Sequence, residues 1–179
     1  MTLRPPGSGA RPPIVAHKDV GAPSLFTPEN LLREARRQKA LPRGRAPEVC
    51  VLDPDGDIVR HLLATRRARR SASWACYHTD LHVFRRAGIR YGIVGGAVGA
   101  AFAVLVAEEL FASGCRLLIS MTSAGQIVPV REPPYFILID RALRDEGTSY
   151  HYLPPADYSE ADRRLIRLTA AGLSRLRVA

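Results

Sequence analysis

The sequence predicts an α/β fold that contains a parallel crossover of strand, helix and strand. Residues 89–94 (IRYGIV) predict the first strand, a glycine-rich turn follows, residues 102–111 predict the helix, and residues 117–121 (LLISM) predict the next strand. Parallel strands need a crossover connection of this kind, usually a helix. Residues 49–53 and 136–139 are further apolar strand candidates. We expect the strands at 89–94, 117–121 and 136–139 to be neighbours in the interior of one sheet.

The chain before the crossover predicts an arm and a short helix. Residues 1–45 combine a Pro- and Gly-rich stretch with a helix that Thr27 caps and Pro28 begins, as the preferences at helix starts favour. Residues 46–179 are predicted as one partial domain. A chain of 179 residues that is 46% hydrophobic is large enough for a single core.

Three further segments complete the secondary-structure prediction. Residues 58–70 have helical spacing and end in a basic tail, which is predicted as a solvated face. Residues 73–84 alternate well enough for a strand. The last helix is predicted to open with Ser159 as its cap.

The central helix is apolar on nearly all sides, so we expect it to lie covered. Gly114 is predicted to stop it at its C-terminal end. Glu108 and Glu109 lie near that end, where the helix dipole disfavours anions. We therefore expect these two carboxylates to face solvent or to meet an arginine.

The net charge of +9 comes almost entirely from arginine, since Lys18 and Lys39 are the only lysines among 26 basic residues. Such a charge could attract phosphates or nucleic acid. The alternative is a solvated surface with a bias toward arginine, which we favour because the arginines are spread along the chain. No recognition-helix or aromatic-basic pattern was found, so we expect no specific binding to nucleic acid.

The composition also indicates in which cellular compartment the protein is expected. The three cysteines are odd in number and far apart, which disfavours a disulfide framework and favours a reducing environment. The N-terminal residues lack the apolar core of a signal peptide. The longest uncharged run, residues 91–107, is too short for a membrane span of ~20 residues. We expect a soluble cytoplasmic protein without a membrane partner.

The glycine-rich turn follows a strand and opens a helix, as a dinucleotide-binding fingerprint does. Its spacing differs from G-x-G-x-x-G, and Ser120 and Thr122 stand at the end of the next strand where an acidic residue would be needed. We therefore disfavour a dinucleotide. A close-packed turn is one interpretation, and a turn whose Gly96 and Gly99 border a substrate pocket is the other.

Cys76, His78 and His82 are candidate metal ligands, because they would share one face of a strand. A fourth ligand is not evident, and a mixed buried face explains the pattern more simply. We expect no bound metal.

The segment RDEGTSYHY carries many ionisable groups on a loop, including Arg144, Glu146 and His151. Such groups on loops are often functional. A salt-linked structural loop is the equally weighted alternative. On the functional interpretation, Arg144 and Glu146 border a pocket.

The strand at 117–121 ends in small hydroxyl residues and a glycine: Thr122, Ser123 and Gly125. Such an end can hold an anion or a sugar, or it can simply turn a corner.

Taken in order, these segments resemble the nucleoside phosphorylase family, which includes uridine and purine nucleoside phosphorylases and related nucleosidases. The resemblance is carried by residues 94–127 and 137–155, with shorter matches at 27–37 and 51–59. It covers the chain from about residue 26 to residue 179.

The resemblance implies a three-layer α/β/α fold with a mixed, largely parallel sheet, incomplete at the C-terminus, in dimers or trimers of dimers. It implies cleavage of the ribosyl N-glycosidic bond of a uridine-like or purine nucleoside, in nucleoside salvage or catabolism. Phosphate or water would attack, so the expected partners are nucleoside and phosphate. Phosphate would be a co-substrate, with no metal or organic cofactor. Positive charge develops on the ribose and negative charge on the base, and the enzyme must stabilise both.

By resemblance, the loop with Thr122, Ser123 and Gly125 would meet the ribose and the phosphate or water. Arg69, or the adjacent Arg70, would be an arginine that some relatives lend across a dimer interface. These roles follow from the family alone.

The sequence departs from the family at the expected phosphate site. Leu52 replaces a glycine, and Gly56 and Ser120 stand where two arginines are expected. The family's base-binding and proton-donating residues would lie beyond residue 179, so no catalytic residue is assigned. We expect the chain alone to be weak or inactive. The alternatives are a truncated enzyme and an inactive remnant that pairs with a full-length homologue.

Overall fold

The computed structural model describes residues 14–173, which divide into two compact units. One unit comprises residues 23–124, and the other combines residues 14–22 with residues 125–173. Each is described separately below. The sequence-based boundary near residue 45 stays a prediction.

Helix α1 (Pro28–Gln38) begins as the sequence predicts. The Thr27 hydroxyl accepts a hydrogen bond from the Asn30 amide at 3.4 Å, and Pro28 occupies the first turn. Leu32 and Ala35 bury the inner face of the helix. The helix therefore packs onto the unit of residues 23–124, with α1 against α3 (defined below).

A five-stranded mixed sheet forms the centre of this unit, in the order β2-β3-β4-β1-β5. Its strands are β1 (Val49–Asp53), β2 (Ala68–Arg70), β3 (His82–Arg86), β4 (Ile89–Gly95) and β5 (Leu117–Ser120). Strand β1 pairs in parallel with both β4 and β5, and the other two pairings are antiparallel. Strands β4 and β5 share the predicted sheet but are separated by β1, whose Cys50 lies between Gly92 and Leu118.

Two helices cover opposite faces of the sheet: α2 (Asp57–Ala64) and α3 (Ala100–Ala112). Neighbouring residues of a strand point to opposite faces. Val94 accordingly belongs to the core cluster that contains Val106 of α3, whereas Ile93 clusters with Val59 and Leu62 of α2. The predicted α/β/α layering is confirmed, and so is the helix predicted at 102–111.

Two segments of this unit differ from the prediction. Helix α2 ends at Ala64, and the basic tail after it forms the short edge strand β2. The strand predicted over 73–84 begins only at His82. The preceding residues form an irregular segment whose Trp74 and Leu81 are buried. Their alternation reflects burial of a loop, which periodicity alone does not distinguish from a strand.

The acidic pair of α3 also departs from expectation. Gly114 follows the helix with φ +108°, as predicted for its end. Glu108 is half-buried, but Glu109 is fully buried. Glu109 therefore does not face solvent, because its turn of α3 packs inward beside Leu110.

The second unit contains a two-stranded antiparallel sheet, a 3₁₀ turn and a helix. These are β6 (Arg141–Leu143), β7 (Tyr158–Glu160), the 3₁₀ turn Thr148–His151 and α4 (Arg163–Gly172). The interior strand predicted at 136–139 is wrong, since these residues form only an isolated bridge at Phe136, which is 50% exposed. An apolar run becomes a strand only where a partner offers hydrogen bonds.

The start of the last helix is also corrected. Ser159 lies in β7, and α4 begins at Arg163. The Asp162 carboxylate caps it by accepting hydrogen bonds from the amides of Arg164 and Leu165 at 2.8 and 2.9 Å. Among residues 14–173, no helix has the length and apolar character that a membrane span requires.

Candidate functional site at the carboxyl ends of the parallel strands

The carboxyl ends of β1, β4 and β5 meet at one edge of the sheet. The Met121 amide donates to the Leu52 carbonyl at 2.9 Å, and the Gly96 amide donates to the Asp53 carbonyl at 3.0 Å. The chain leaves β1 toward one face and β4 toward the other. In open α/β sheets, ligand sites form outside the strand ends at such a point, so the candidate site lies here.

A tight turn after β1 shapes this edge. The Gly56 amide donates to the Asp53 carbonyl at 2.9 Å, with Pro54 and Asp55 between them. Gly56 has φ +74°, a conformation that favours glycine. The buried carboxylate of Asp53 accepts a hydrogen bond from the Val59 amide at 2.9 Å. Strand β1 and helix α2 thus hold the turn from both sides.

The turn presents Asp55 to the loop that follows β5. One carboxylate oxygen of Asp55 accepts a hydrogen bond from the Ser123 amide at 2.6 Å, and the other accepts from the Thr122 hydroxyl at 3.1 Å. The hydrogen bond from the Ser123 amide is the main cause that lowers the pKa of Asp55. The Thr122 hydroxyl and the Ser123 amide are therefore donors that can bind an anion. In this structure the carboxylate of Asp55 is the anion that accepts both hydrogen bonds.

The glycine-rich turn lies beside this site. Gly96 (φ +78°) and Gly99 (φ +89°) adopt left-handed conformations, and a Cβ added at either would meet nothing within 4 Å. Backbone conformation rather than close packing therefore calls for glycine. The Gly96 amide is hydrogen-bonded to the Asp53 carbonyl at the strand end, and a pocket border at Gly96 and Gly99 stays a prediction.

Arg69 lies at the far edge of the same sheet. It belongs to β2, four strand positions away from β5, which is about 19 Å at the usual strand spacing. Within one chain, Arg69 and Ser123 are not brought together. The adjacent Arg70 forms an ion pair with Asp80 at 2.7 Å.

Arg144 belongs to the second unit and is only 5% exposed. Its guanidinium donates to the Ser149 hydroxyl at 2.9 Å and to the carbonyls of Leu153 and Pro154 at 3.1 and 2.5 Å. It also lies 4.4 Å from the centre of the Tyr150 ring. All three guanidinium nitrogens are therefore engaged by the surrounding loop.

Glu146 has a similar position in that loop. Its carboxylate accepts hydrogen bonds from the amides of Thr148 and Ser149 at 2.5 and 3.1 Å. A side-chain hydrogen bond from Ser149 is the largest cause that lowers the pKa of Glu146. His151 accepts from Lys18 at 2.6 Å. This geometry favours a structural, polar-linked loop.

Gly125 lies in the same unit, and a Cβ added there would meet nothing within 4 Å.

The three residues considered as metal ligands do not converge. The His78 amide donates to the Cys76 thiol at 3.4 Å, and the His78 ring packs edge-on to Phe102. His82 has a buried Nδ1 without a partner in the described chain. Within residues 14–173, no group of three His, Cys, Asp or Glu side chains could hold a metal ion.

Glu109 is a buried carboxyl group that the sequence did not single out. Neither carboxylate oxygen accepts a hydrogen bond from residues 14–173. Burial raises the pKa of Glu109, while Cys76, His78 and Lys39 are close enough to oppose that rise. Glu109 lies inside the unit rather than at the strand ends.

A large cleft lies away from the strand ends. It has a volume of about 890 Å³ and lies where α1 and α3 end. Its lining includes five arginines: Arg33, Arg36, Arg37, Arg43 and Arg45. Helix C-termini carry partial negative charge, which basic side chains stabilise. Arg36 and Arg37, which lie in the last turn of α1, fit this pattern.

The sequence analysis singled out Thr122 and Ser123 as candidate site residues but did not single out Asp55, which contacts both. A usable signal was present, because Asp55 follows one predicted strand and Thr122 follows another. Loops after parallel neighbours meet at one sheet edge. The missing information was that β1 and β5 are neighbours.

Comparisons with known proteins agree with this architecture. The family described as the phosphorylase superfamily matches residues 49–178. No curated protein sequence matches the chain. Uridine phosphorylase from Vibrio fischeri ES114, solved with 6-hydroxy-1-naphthoic acid, superposes with a TM-score of 0.61 at 21% identity, over 75% of this chain and 55% of that one.

A second solved structure is similar to the same extent. Purine nucleoside phosphorylase from Toxoplasma gondii, in complex with immucillin-H, has a TM-score of 0.60 at 14% identity, again over 75% of this chain and 55% of that one. The chain thus spans little more than half the length of these proteins. Identities this low establish a common fold.

Proposed function

The chain belongs to the phosphorylase superfamily, and on that premise we propose that it cleaves the ribosyl N-glycosidic bond of a uridine-like or purine nucleoside. The nucleophile is phosphate or water, and the setting is nucleoside salvage or catabolism in the cytoplasm. Phosphate is the only co-substrate, and no cofactor takes part. The observation that carries this proposal is the polar loop of Thr122 and Ser123 at the carboxyl end of β5, beside the turn after β1.

The chemistry suits small polar groups and a fixed charge. As the glycosidic bond breaks, positive charge develops on the ribose and negative charge on the departing base. A preorganised anion near the ribose stabilises the first of these charges. Asp55 supplies a carboxylate at the strand ends, and Thr122 and Ser123 supply hydroxyls of the kind that bind a sugar.

Phosphate would be held weakly at this site. Ser120 ends β5, and Gly56 precedes α2, so neither position supplies a cation. Losing one charge-stabilising contact typically lowers a rate by a factor of roughly 10²–10³. We therefore expect slow turnover.

In an oligomer, Arg69 of one copy could contribute to the strand-end site of another copy. Because β2 and β5 are opposite edges of the sheet, Arg69 reaches a strand-end site only in another copy of the chain. A dimer or trimer of dimers is accordingly part of the proposal. Light scattering of the purified protein tests the assembly.

The second candidate function is an inactive relative that pairs with a full-length homologue. The uncharged Ser120 and Gly56 at the strand ends favour it. Nucleoside turnover separates the two candidates.

The test is release of free base from uridine, inosine and adenosine, with and without phosphate. We expect slow release that Ser123→Ala reduces at least tenfold. Ser159→Ala, which alters β7 in the other unit, serves as the matched control. Absence of release from all three nucleosides would reject the enzyme and leave the pairing function.

A further inference from the structure

We propose that Asp55 is an internal anion that occupies the donors of Thr122 and Ser123, excludes phosphate from this loop and so selects water as the nucleophile. This inference rests on the proposed function, because it specifies the nucleophile of that same site. It makes Asp55 a specificity-determining residue.

The geometry gives each carboxylate oxygen its own donor. The Ser123 amide lies 2.6 Å from one oxygen, and the Thr122 hydroxyl lies 3.1 Å from the other. Hydrogen bonds to an ionised group are the stronger class, about twice as strong as neutral ones. A phosphate oxygen that approached this loop would need the same two donors, so phosphate and Asp55 compete for one place.

The local charge reinforces this competition. Arg60 is the cation that acts on Asp55, but its guanidinium is paired with Asp57 and also donates to the Asp55 carbonyl at 3.1 Å. An incoming phosphate would therefore meet a fixed carboxylate and an arginine that already has partners. Like charges at short range repel, and water screens part of that repulsion at this exposed edge.

Asp55 competes effectively because it belongs to the same rigid edge as its donors. The turn is closed by the hydrogen bond between Gly56 and Asp53, and the Met121 amide is bound to Leu52 of the neighbouring strand. An intramolecular partner has a high effective concentration. Free phosphate at millimolar concentration is at a disadvantage against it.

Water does not suffer this exclusion, because it is neutral and small. In the resulting hydrolysis, the water oxygen forms a bond to the anomeric carbon of the ribose. The bond from that carbon to the base nitrogen breaks, and its electron pair stays with the base. One proton of the water ends on the base, and the products are free ribose and free base.

The test measures phosphate binding to the full chain by two methods. Isothermal titration calorimetry gives the dissociation constant, and the NMR resonance of the Ser123 amide reports binding at this loop. Wild type should bind phosphate weakly and without a shift of that resonance. Asp55→Ala should lower the dissociation constant at least tenfold and shift the Ser123 amide. Glu48→Ala is the matched control, since it removes an equal charge from an exposed residue just before β1, at the other end of that strand from Asp55.

Three results would overturn the inference: equal binding by wild type and Asp55→Ala, no binding by either protein, or an equal gain in Glu48→Ala. Circular dichroism checks folding, and Asp55→Asn, which removes the charge and keeps the shape, replaces the alanine variant if that variant unfolds. Phosphate binding does not depend on nucleoside turnover. Failure of the proposed function would instead appear as no base release from any nucleoside.

Discussion

The buried carboxylate of Asp53 accepts a hydrogen bond from the Val59 amide at 2.9 Å, which joins the end of β1 to the first turn of α2. The residue before α2 is Gly56, which has no side chain to cap the helix. Asp53 supplies that acceptor from within the strand. The turn that carries Asp55 is thereby fixed at both ends.

We predict that Asp53→Ala lowers the free energy of unfolding by about 1–3 kcal/mol, because a buried amide loses its acceptor. Urea denaturation followed by circular dichroism measures the change. Asp57→Ala is the control, since its carboxylate is exposed and pairs with Arg60. Equal losses in both variants would contradict a specific role for Asp53.

Gly92→Ala should also destabilise the protein. A Cβ at this position would lie 2.7 Å from the Cys50 sulfur and 3.0 Å from a Leu81 methyl group. Overpacking of this kind typically costs about 1–3 kcal/mol. Denaturant midpoints measure it, and Gly125→Ala, whose Cβ would meet nothing within 4 Å, should leave the midpoint unchanged. A neutral Gly92→Ala would show that β1 and β4 are less closely packed.

The Asp162 cap at the start of α4 can be tested by substitution. Asp162→Ala should destabilise the helix by about 1 kcal/mol, because two amides of its first turn lose their acceptor. Hydrogen exchange of the Arg164 and Leu165 amides should accelerate accordingly. Ser159→Ala should leave both rates unchanged, and the reverse pattern would restore Ser159 as the cap.

Glu109 predicts a pH dependence of stability. Burial raises the pKa of Glu109 in the folded state, so the neutral carboxyl is favoured by folding. The associated stability is complete below the unfolded-state pKa of about 4.5 and is lost as the pH rises through the folded-state pKa. Glu109→Gln cannot ionise and should not lose this contribution.

Urea unfolding between pH 4 and pH 9 measures the effect. Wild type and Glu109→Gln should differ by a constant amount at the acidic end. With rising pH, the difference should shift in favour of the variant. Glu108→Gln is the neighbouring control, and the same trend there would assign the effect to the net charge of α3.

Local sequence predicted the strands at Val49–Asp53, Ile89–Gly95 and Leu117–Ser120, and the helices α1 and α3. Each is a run with a clear period or composition, bounded by turn or capping residues. Prediction failed in segments whose conformation depends on contacts with distant parts of the chain. Residues 136–139 are apolar but form only an isolated bridge at Phe136, since a strand needs a partner that pairs along its whole length.

The sequence by itself determined β1, β4, β5, α1 and α3, the α/β class and the family, because these depend on patterns within short segments. Only the tertiary structure decided that β1 lies between β4 and β5, that Glu109 is buried, and that Asp55 holds the amide of Ser123, 68 residues away. The physical reason is that strand order sets which distant loops share an edge. An aspartate in a turn has the same local pattern whether it meets water or a donor from another strand.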